Sequence, residues 1–339
     1  MKESVSYAEP KPQIIKDFLT YITTIKGKSP RTASEYYLDL RMFLRFLKQQ
    51  RGLANNTYLD DISITDIDID FIKTITLSDA YDFLMYTAQD RPARVHADGS
   101  TIGLSSASRA RKISSIRSFF KYLTDKAHLL EHNPMQSLEY PSIQKSLPKY
   151  LTMEESLALL DAVDGTYKER DYCILTLFLN CGLRVSELCS LNLLDIKENQ
   201  IRIIGKGNKE RILYLNEACV DAINSYLPHR ISPNNAPENF GALFVSRNHS
   251  RMSRNTVEKL VKKYISQAGL DPSKFSAHKL RHTAATLMYS NGVDIRTLQD
   301  VLGHQNVNTT MVYTHINNAN IQEAVDRNPL SHVKNKKQC

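Results

Sequence analysis

The sequence predicts a mainly α-helical protein of two domains, the second mixed α/β with one small β-hairpin sheet. Three observations lead there. Apolar residues recur at helical spacing through most of the 339 residues. One segment, Gln200 to Leu215, instead sets Ile201, Ile203 and Ile204 before Gly205-Lys206-Gly207-Asn208 and Ile212, Leu213 and Leu215 after it, the pattern of a hairpin with a glycine-rich turn. Between two helical regions lies 133–150, with Pro134, Pro141, Pro148 and few apolar residues, which reads as an extended linker.

The elements follow in order. Residues 1–11 are polar. Ile14, Ile15, Phe18, Leu19, Ile22 and Ile25 line one helix face, and Lys26-Gly27-Lys28 ends that helix. Ser29 is placed to cap the next helix, with Pro30 at its first position. Tyr36, Tyr37, Leu40, Phe43, Leu44 and Leu47 supply its apolar side. The acidic stretch Asp60 to Asp70 reads as a loop or solvated edge. A third helix is expected over 77–89 and a polar loop over 90–104. A fourth, 106–126, arrays Arg109, Arg111, Lys112, Arg117, Lys121 and Lys126 around Ile113, Ile116, Phe119, Phe120 and Leu123. Residues 12–132 form this first, four-helix unit. Thr152 with Glu155 resembles a capping box that opens a second domain over 151–330.

Composition narrows the function. Hydrophobic residues make up 42% and charged residues 24%, a globular balance. The densest apolar run, Ile174 to Leu179, is too short to span a bilayer, and the N-terminus lacks the pattern of a signal peptide. The expectation is a cytoplasmic protein with no membrane partner. Five scattered cysteines form no CxxC pair, and the spacing of Cys173, Cys181 and Cys189 suits helix packing in a reducing compartment. The net charge of +8 is spread over both halves, so each half can meet a polyanion.

Four short segments carry candidate chemistry. Arg184 and Glu187 lie at i, i+3, where the carboxylate can hold the guanidinium; alone, this pair is an ordinary surface ion pair. Lys206 sits between glycines of the hairpin, on backbone able to approach a ligand closely, with Lys209 and Arg211 following; alone, it is a solvated turn lysine. His278 and Arg281 share a helix face, with His282 at i, i+4 from His278. The glutamate of HExxH is missing and Arg281 repels a cation, so no metal is expected. His304 precedes Tyr313 by nine residues, and any single member of 17 tyrosines is a weak candidate. Together, two arginines, a lysine, histidines and a tyrosine suit phosphodiester chemistry. Guanidinium forks match phosphate oxygens and stabilise the charge of a five-coordinate transition state. Tyrosine can attack covalently if a neighbour takes its proton, and lysine can protonate the departing alkoxide.

The set Arg184, Lys206, His278-x-x-Arg281, His304 and Tyr313, in this order, resembles the catalytic signature of tyrosine recombinases, the phage integrase family, and is closest to its Xer-type bacterial members. The resemblance covers about residues 12–328. The first unit resembles their helical core-binding (SAM-like) domain and the second their catalytic domain with a C-terminal helix. The loop 90–104 and the N-terminal lead are long for a Xer protein, and no catalytic position departs from the pattern. The resemblance implies that Arg184 and Arg281 clamp the scissile phosphate, Lys206 is the general acid, His278 is base or phosphate ligand, His304 adds a hydrogen bond, Glu187 orients arginine, and Tyr313 forms a 3′-phosphotyrosyl bond. It implies no cofactor, metal or ATP. It implies a clamp around duplex DNA bearing an inverted-repeat site, contacted by Arg109, Arg111, Lys112, Arg117, Lys121, Lys209 and Arg211. It further implies a tetramer on two duplexes, homomeric or shared with a second recombinase, for chromosome dimer resolution or mobile-element integration and excision. A type IB topoisomerase and a non-catalytic DNA-binding protein of the same fold are the alternatives.

Overall fold

The chain divides into two units, residues 1–145 and 146–339. The computed structural model describes residues 10–54, 58–89, 103–142, 149–205 and 210–303.

The first unit is helical. Helix α1 (Gln13–Thr24) packs on α2 (Pro30–Gln50), where Ser29 Oγ accepts from the Thr32 N–H and Pro30 occupies the first turn. A short α3 (Ile69–Lys73), then α4 (Leu77–Gln89) and α5 (Ser106–Asp125), complete it. Aromatic side chains join the helices: Phe18 meets Phe119 edge-on at 5.3 Å between ring centres, and Phe43 meets Phe83 at 5.1 Å.

Two segments pack more tightly than the sequence predicts. The acidic stretch is largely irregular with its carboxylates exposed, but Ile62, Ile64, Ile67 and Ile72 are buried between them. Lys48 pairs with Asp66 at 2.7 Å, which holds this stretch on α2. The first core also continues past residue 132, because Met135 and Leu138 are fully buried in it. The proline-bearing stretch therefore begins as packed turn, not linker.

The second unit opens with α6 (Met153–Asp161), whose start carries the capping box of Thr152 and Glu155. Its centre is α7 (Lys168–Cys181), buried on nearly every side from Cys173 to Leu179 and packed against α9 (Glu217–Tyr226) and α11 (Ala277–Ser290). Helix α8 (Val185–Ser190) leads into an antiparallel sheet of β1 (Ile196–Lys197), β2 (Gln200–Ile204) and β3 (Glu210–Tyr214), in that order. Ile201 pairs with Leu213 and Ile203 with Arg211, so these residues share the inward face. Helices α10 (Arg254–Gln267) and α12 (Ile295–Leu302) complete the described part. Cys173, Cys181, Cys189 and Cys219 are free and buried as packing residues. Among the described residues, no helix is long and apolar enough to cross a membrane.

Candidate active site

One buried carboxylate organises the site. Glu187, 3% exposed, stands in the first turn of α8. Its Oε1 accepts from Arg184 Nη1 at 2.7 Å and Arg211 Nη1 at 3.0 Å. Its Oε2 accepts from the Arg184 backbone N–H at 2.9 Å and Arg211 Nη2 at 3.0 Å, with Arg281 Nη1 at 3.8 Å. Burial pushes the carboxyl pKa up, but the hydrogen bonds from Arg211 and Arg184 outweigh it and the net shift is downward. Glu187 is thus held as the anion that three guanidinium groups require.

Arg184 lies just before α8, not within it: its backbone is extended and its own N–H returns to Glu187. The chain reaches this point through Gly182, which ends α7 at φ +58. A side chain there would lie 2.8 Å from Leu302, so the position needs glycine for both conformation and space. Arg281, 2% exposed on α11, donates to Gly182 O and Leu302 O, each at 2.6 Å. Arg184 Nη2 donates to Gly303 O at 3.1 Å and Arg211 Nε to Val301 O at 3.2 Å. Three arginines therefore take three successive carbonyls at the end of α12. These carbonyls lack helical partners, and the negative end of the helix dipole favours cations.

His278 faces this cluster from α11. Its pKa is lowered by partial burial, then by the charges of Arg281, Lys279 and Arg184. His282, one turn on, is lowered to about 4 by burial and then by His278, Lys279 and Arg281. Both rings are neutral at pH 7, and their Nε2 atoms lie 3.1 Å apart, one donating to the other. A neutral imidazole among cations is available to accept a proton. His282 is the partner that the sequence reading passed over except as a metal ligand, although the i, i+4 spacing signals it. Among the described residues no further ligand joins the pair to make a metal site.

The expected DNA-contacting residues divide. Lys112 is a correction: it is 3% exposed and donates to buried Asp39 at 2.8 Å, so it belongs to the core. Arg211 is another: it faces inward and grips Glu187 instead of offering its fork to solvent. Arg111 donates to Asp39 at 2.6 Å and lies 3.3 Å from Glu35. Arg109 donates to Ser106 Oγ. Arg117 donates to Leu138 O and covers the Tyr140 ring. Lys121 is largely exposed, 4.0 Å from Asp125. Lys206, Lys209, His304 and Tyr313 lie outside the described residues, as do 90–102 of the predicted loop and the C-terminal helix.

With this geometry in place, the chain compares directly with known proteins. Residues 149–320 match the Phage integrase family. Tyrosine recombinase XerC of Caldanaerobacter subterraneus subsp. tengcongensis is 50% identical over 322 residues, 94% of this chain and 88% of that protein. Tyrosine recombinase XerD of Proteus mirabilis is 33% identical over 307 residues, 89% of this chain and 88% of its own length. The XerH site-specific recombinase bound to palindromic difH substrate, in a post-cleavage complex, shares the fold at TM-score 0.64 and 22% identity, with 96% of this chain and 99% of that one covered. These relatives favour recombination over relaxation or mere DNA binding. Their shared sequence runs through both units, and the chain belongs to the phage integrase family as a site-specific tyrosine recombinase.

Proposed function

We propose that this recombinase cuts each strand by attack of the Tyr313 hydroxyl on the scissile phosphorus. The carrying observation is the pair of arginines, Arg184 and Arg281, fixed around buried Glu187 beside a neutral His278. The two guanidinium groups stabilise charge on the non-bridging oxygens. His278 accepts the tyrosine proton, and His304 hydrogen-bonds the phosphate. As the new oxygen–phosphorus bond forms, the bond to the 5′ oxygen breaks and Lys206 protonates the leaving alkoxide. The product is a 3′-phosphotyrosyl bond and a free 5′-hydroxyl. The 5′-hydroxyl of the partner strand reverses the step, so bond energy is conserved and no ATP is consumed.

In this reading the first unit is the core-binding domain and the second the catalytic domain. Arg109, Arg111, Arg117, Lys121 and Lys209 contact the phosphates of an inverted-repeat site, which makes binding salt-dependent. The XerH complex with difH supports such a substrate. Four strand cuts on two duplexes call for four active sites, hence a tetramer, in the cytoplasm where chromosomal DNA lies.

The test is covalent capture. The protein, in excess EDTA, is incubated with a genomic fragment library, and the DNA–protein adducts are digested and sequenced. A peptide linked through Tyr313 to a 3′ phosphate is expected, and the attached DNA maps the target site. No adduct, or one through another residue, sinks the reading. On the mapped site, Lys206→Ala is expected to slow cleavage about 10²–10⁴-fold, the usual worth of a general acid. A 5′-bridging phosphorothioate, a better leaving group, should restore most of that rate; no rescue would leave Lys206 as a phosphate contact only.

A further inference from the structure

On β3, residues alternate between the two faces of the sheet. Ile212 and Tyr214 are 60% and 73% exposed, whereas Leu213 is buried. Arg211 falls on the buried face, opposite Ile203. A cation on that face is costly unless paired. The pairing is complete: both Nη atoms reach Glu187 as a parallel fork, and Nε reaches the Val301 carbonyl. The route of the side chain depends on Gly303. A Cβ there would lie 2.8 Å from Arg211 Nη1 and 3.0 Å from its Cζ, and the backbone sits at φ +62.

We infer that Arg211 is a positioning residue for strand cleavage: it touches no phosphate, but locks Glu187 and the end of α12 together so that Arg184 and Arg281 are held in cleaving geometry. This rests on the proposed roles of those two arginines. Glu187 is shared by three arginines, from the residue before α8, from β3 and from α11, and each also holds one carbonyl of the run 301–303 at the end of α12. Arg211 supplies the only bidentate grip on Glu187 seen among the described residues that fixes both carboxylate oxygens from one side chain. Without it the carboxylate is free to turn toward Arg184 or Arg281, and Val301 O loses its partner.

The experiment uses the full chain and the mapped site, and measures DNA affinity, its salt dependence, and the single-turnover rate and amplitude of adduct formation at saturating protein. Arg211→Met is expected to bind DNA within about 3-fold of wild type with an unchanged salt slope, and to cleave about 10–100-fold more slowly, as misplacement of catalytic groups by an ångström or less does. Arg211→Lys keeps the charge but not the fork, so it should recover only part of the rate. Gly303→Ala displaces the arginine without altering it, and should reproduce slow cleavage at normal affinity. Weakened binding with a salt slope reduced by about 1, and a wild-type rate at saturation, would make Arg211 a phosphate contact and overturn the inference. A loss confined to amplitude, with the rate unchanged in the active fraction, would make it merely structural and overturn it equally, as would unchanged kinetics. Arg281→Ala in the same assay separates the two claims: if it cleaves like wild type, the clamp itself is wrong, whatever Arg211 does.

Discussion

Arg281→Ala is expected to slow formation of the covalent adduct by about 10³-fold or more, with DNA affinity falling far less. A guanidinium placed on a transferring phosphoryl group accounts for about 10³–10⁵ in rate where it has been removed. The side chain is buried and lies 3.8 Å from the Glu187 carboxylate, which it shares with Arg184 and Arg211. It therefore acts in a site largely shielded from water, where a fixed charge is strong and needs no reorganisation. Part of the loss is structural. The Gly182 and Leu302 carbonyls lose their Arg281 hydrogen bonds, and a buried unsatisfied polar group costs about 1–3 kcal/mol. Arg281→Lys restores the charge but cannot span both carbonyls from one planar group, so it should fold better than the alanine variant and remain slow. Single-turnover cleavage of a nicked suicide duplex, read with thermal denaturation of each variant, checks this. A rate within tenfold of wild type in a folded Arg281→Ala protein would remove Arg281 from the chemistry.

The largest stability effect is expected at Asp39. Its carboxylate is fully buried and accepts from Arg111, Lys112 and Ser115, at 2.6, 2.8 and 2.8 Å. It is the polar joint between α2 and α5. Asp39→Ala removes the carboxylate with which Lys112, buried on α5, pairs at 2.8 Å. Breaking one side of a buried pair costs about 3–5 kcal/mol. For a unit of this size that is a fall of about 10–15 °C in its melting temperature. Arg111 suffers less, because it is half-exposed and Glu35 lies 3.3 Å away. The pairing, not the carboxylate as such, is what matters. Adding Lys112→Met to an Asp39→Leu variant removes both charges together and is expected to recover most of the loss. Calorimetry of the single and double variants decides: additive losses would show that Asp39 and Lys112 are energetically independent.

Both residues also show where sequence reasoning stops. The basic helix 106–126 reads from its composition as a surface for a polyanion, and Lys112 reads there as one of a set with Arg111 and Arg117. Lys112 lies one turn before Ile116 on the apolar side of the helix, yet a lysine is assigned to solvent by default, because the anion that admits it to the core lies 73 positions away. Arg211 is the same case. Its strand alternation points inward, yet a charged residue is assigned outward by default, and Glu187, 24 positions away in sequence, is brought to it only by the tertiary fold. The isoleucines of the acidic stretch were outvoted by their carboxylate neighbours for a related reason: strand-like alternation over so few residues is a weak signal until α2 supplies the surface that covers it.

What the sequence alone determined is whatever depends on near neighbours or on the order of a motif. The third helix over 77–89, the Ser29 cap with Pro30, the capping box of Thr152 and Glu155 and the hairpin of 200–215 each rest on interactions within a few residues, and each stands in the structure. The family was legible from six residues of four types in order, since that combination serves a narrow chemistry. Only the tertiary structure decided which charges are buried, that Glu187 is shared by three arginines, and that those arginines hold three successive carbonyls at the end of α12. Burying a charge is unfavourable until a distant partner arrives, so its placement is a property of the folded whole and leaves no local trace in the chain.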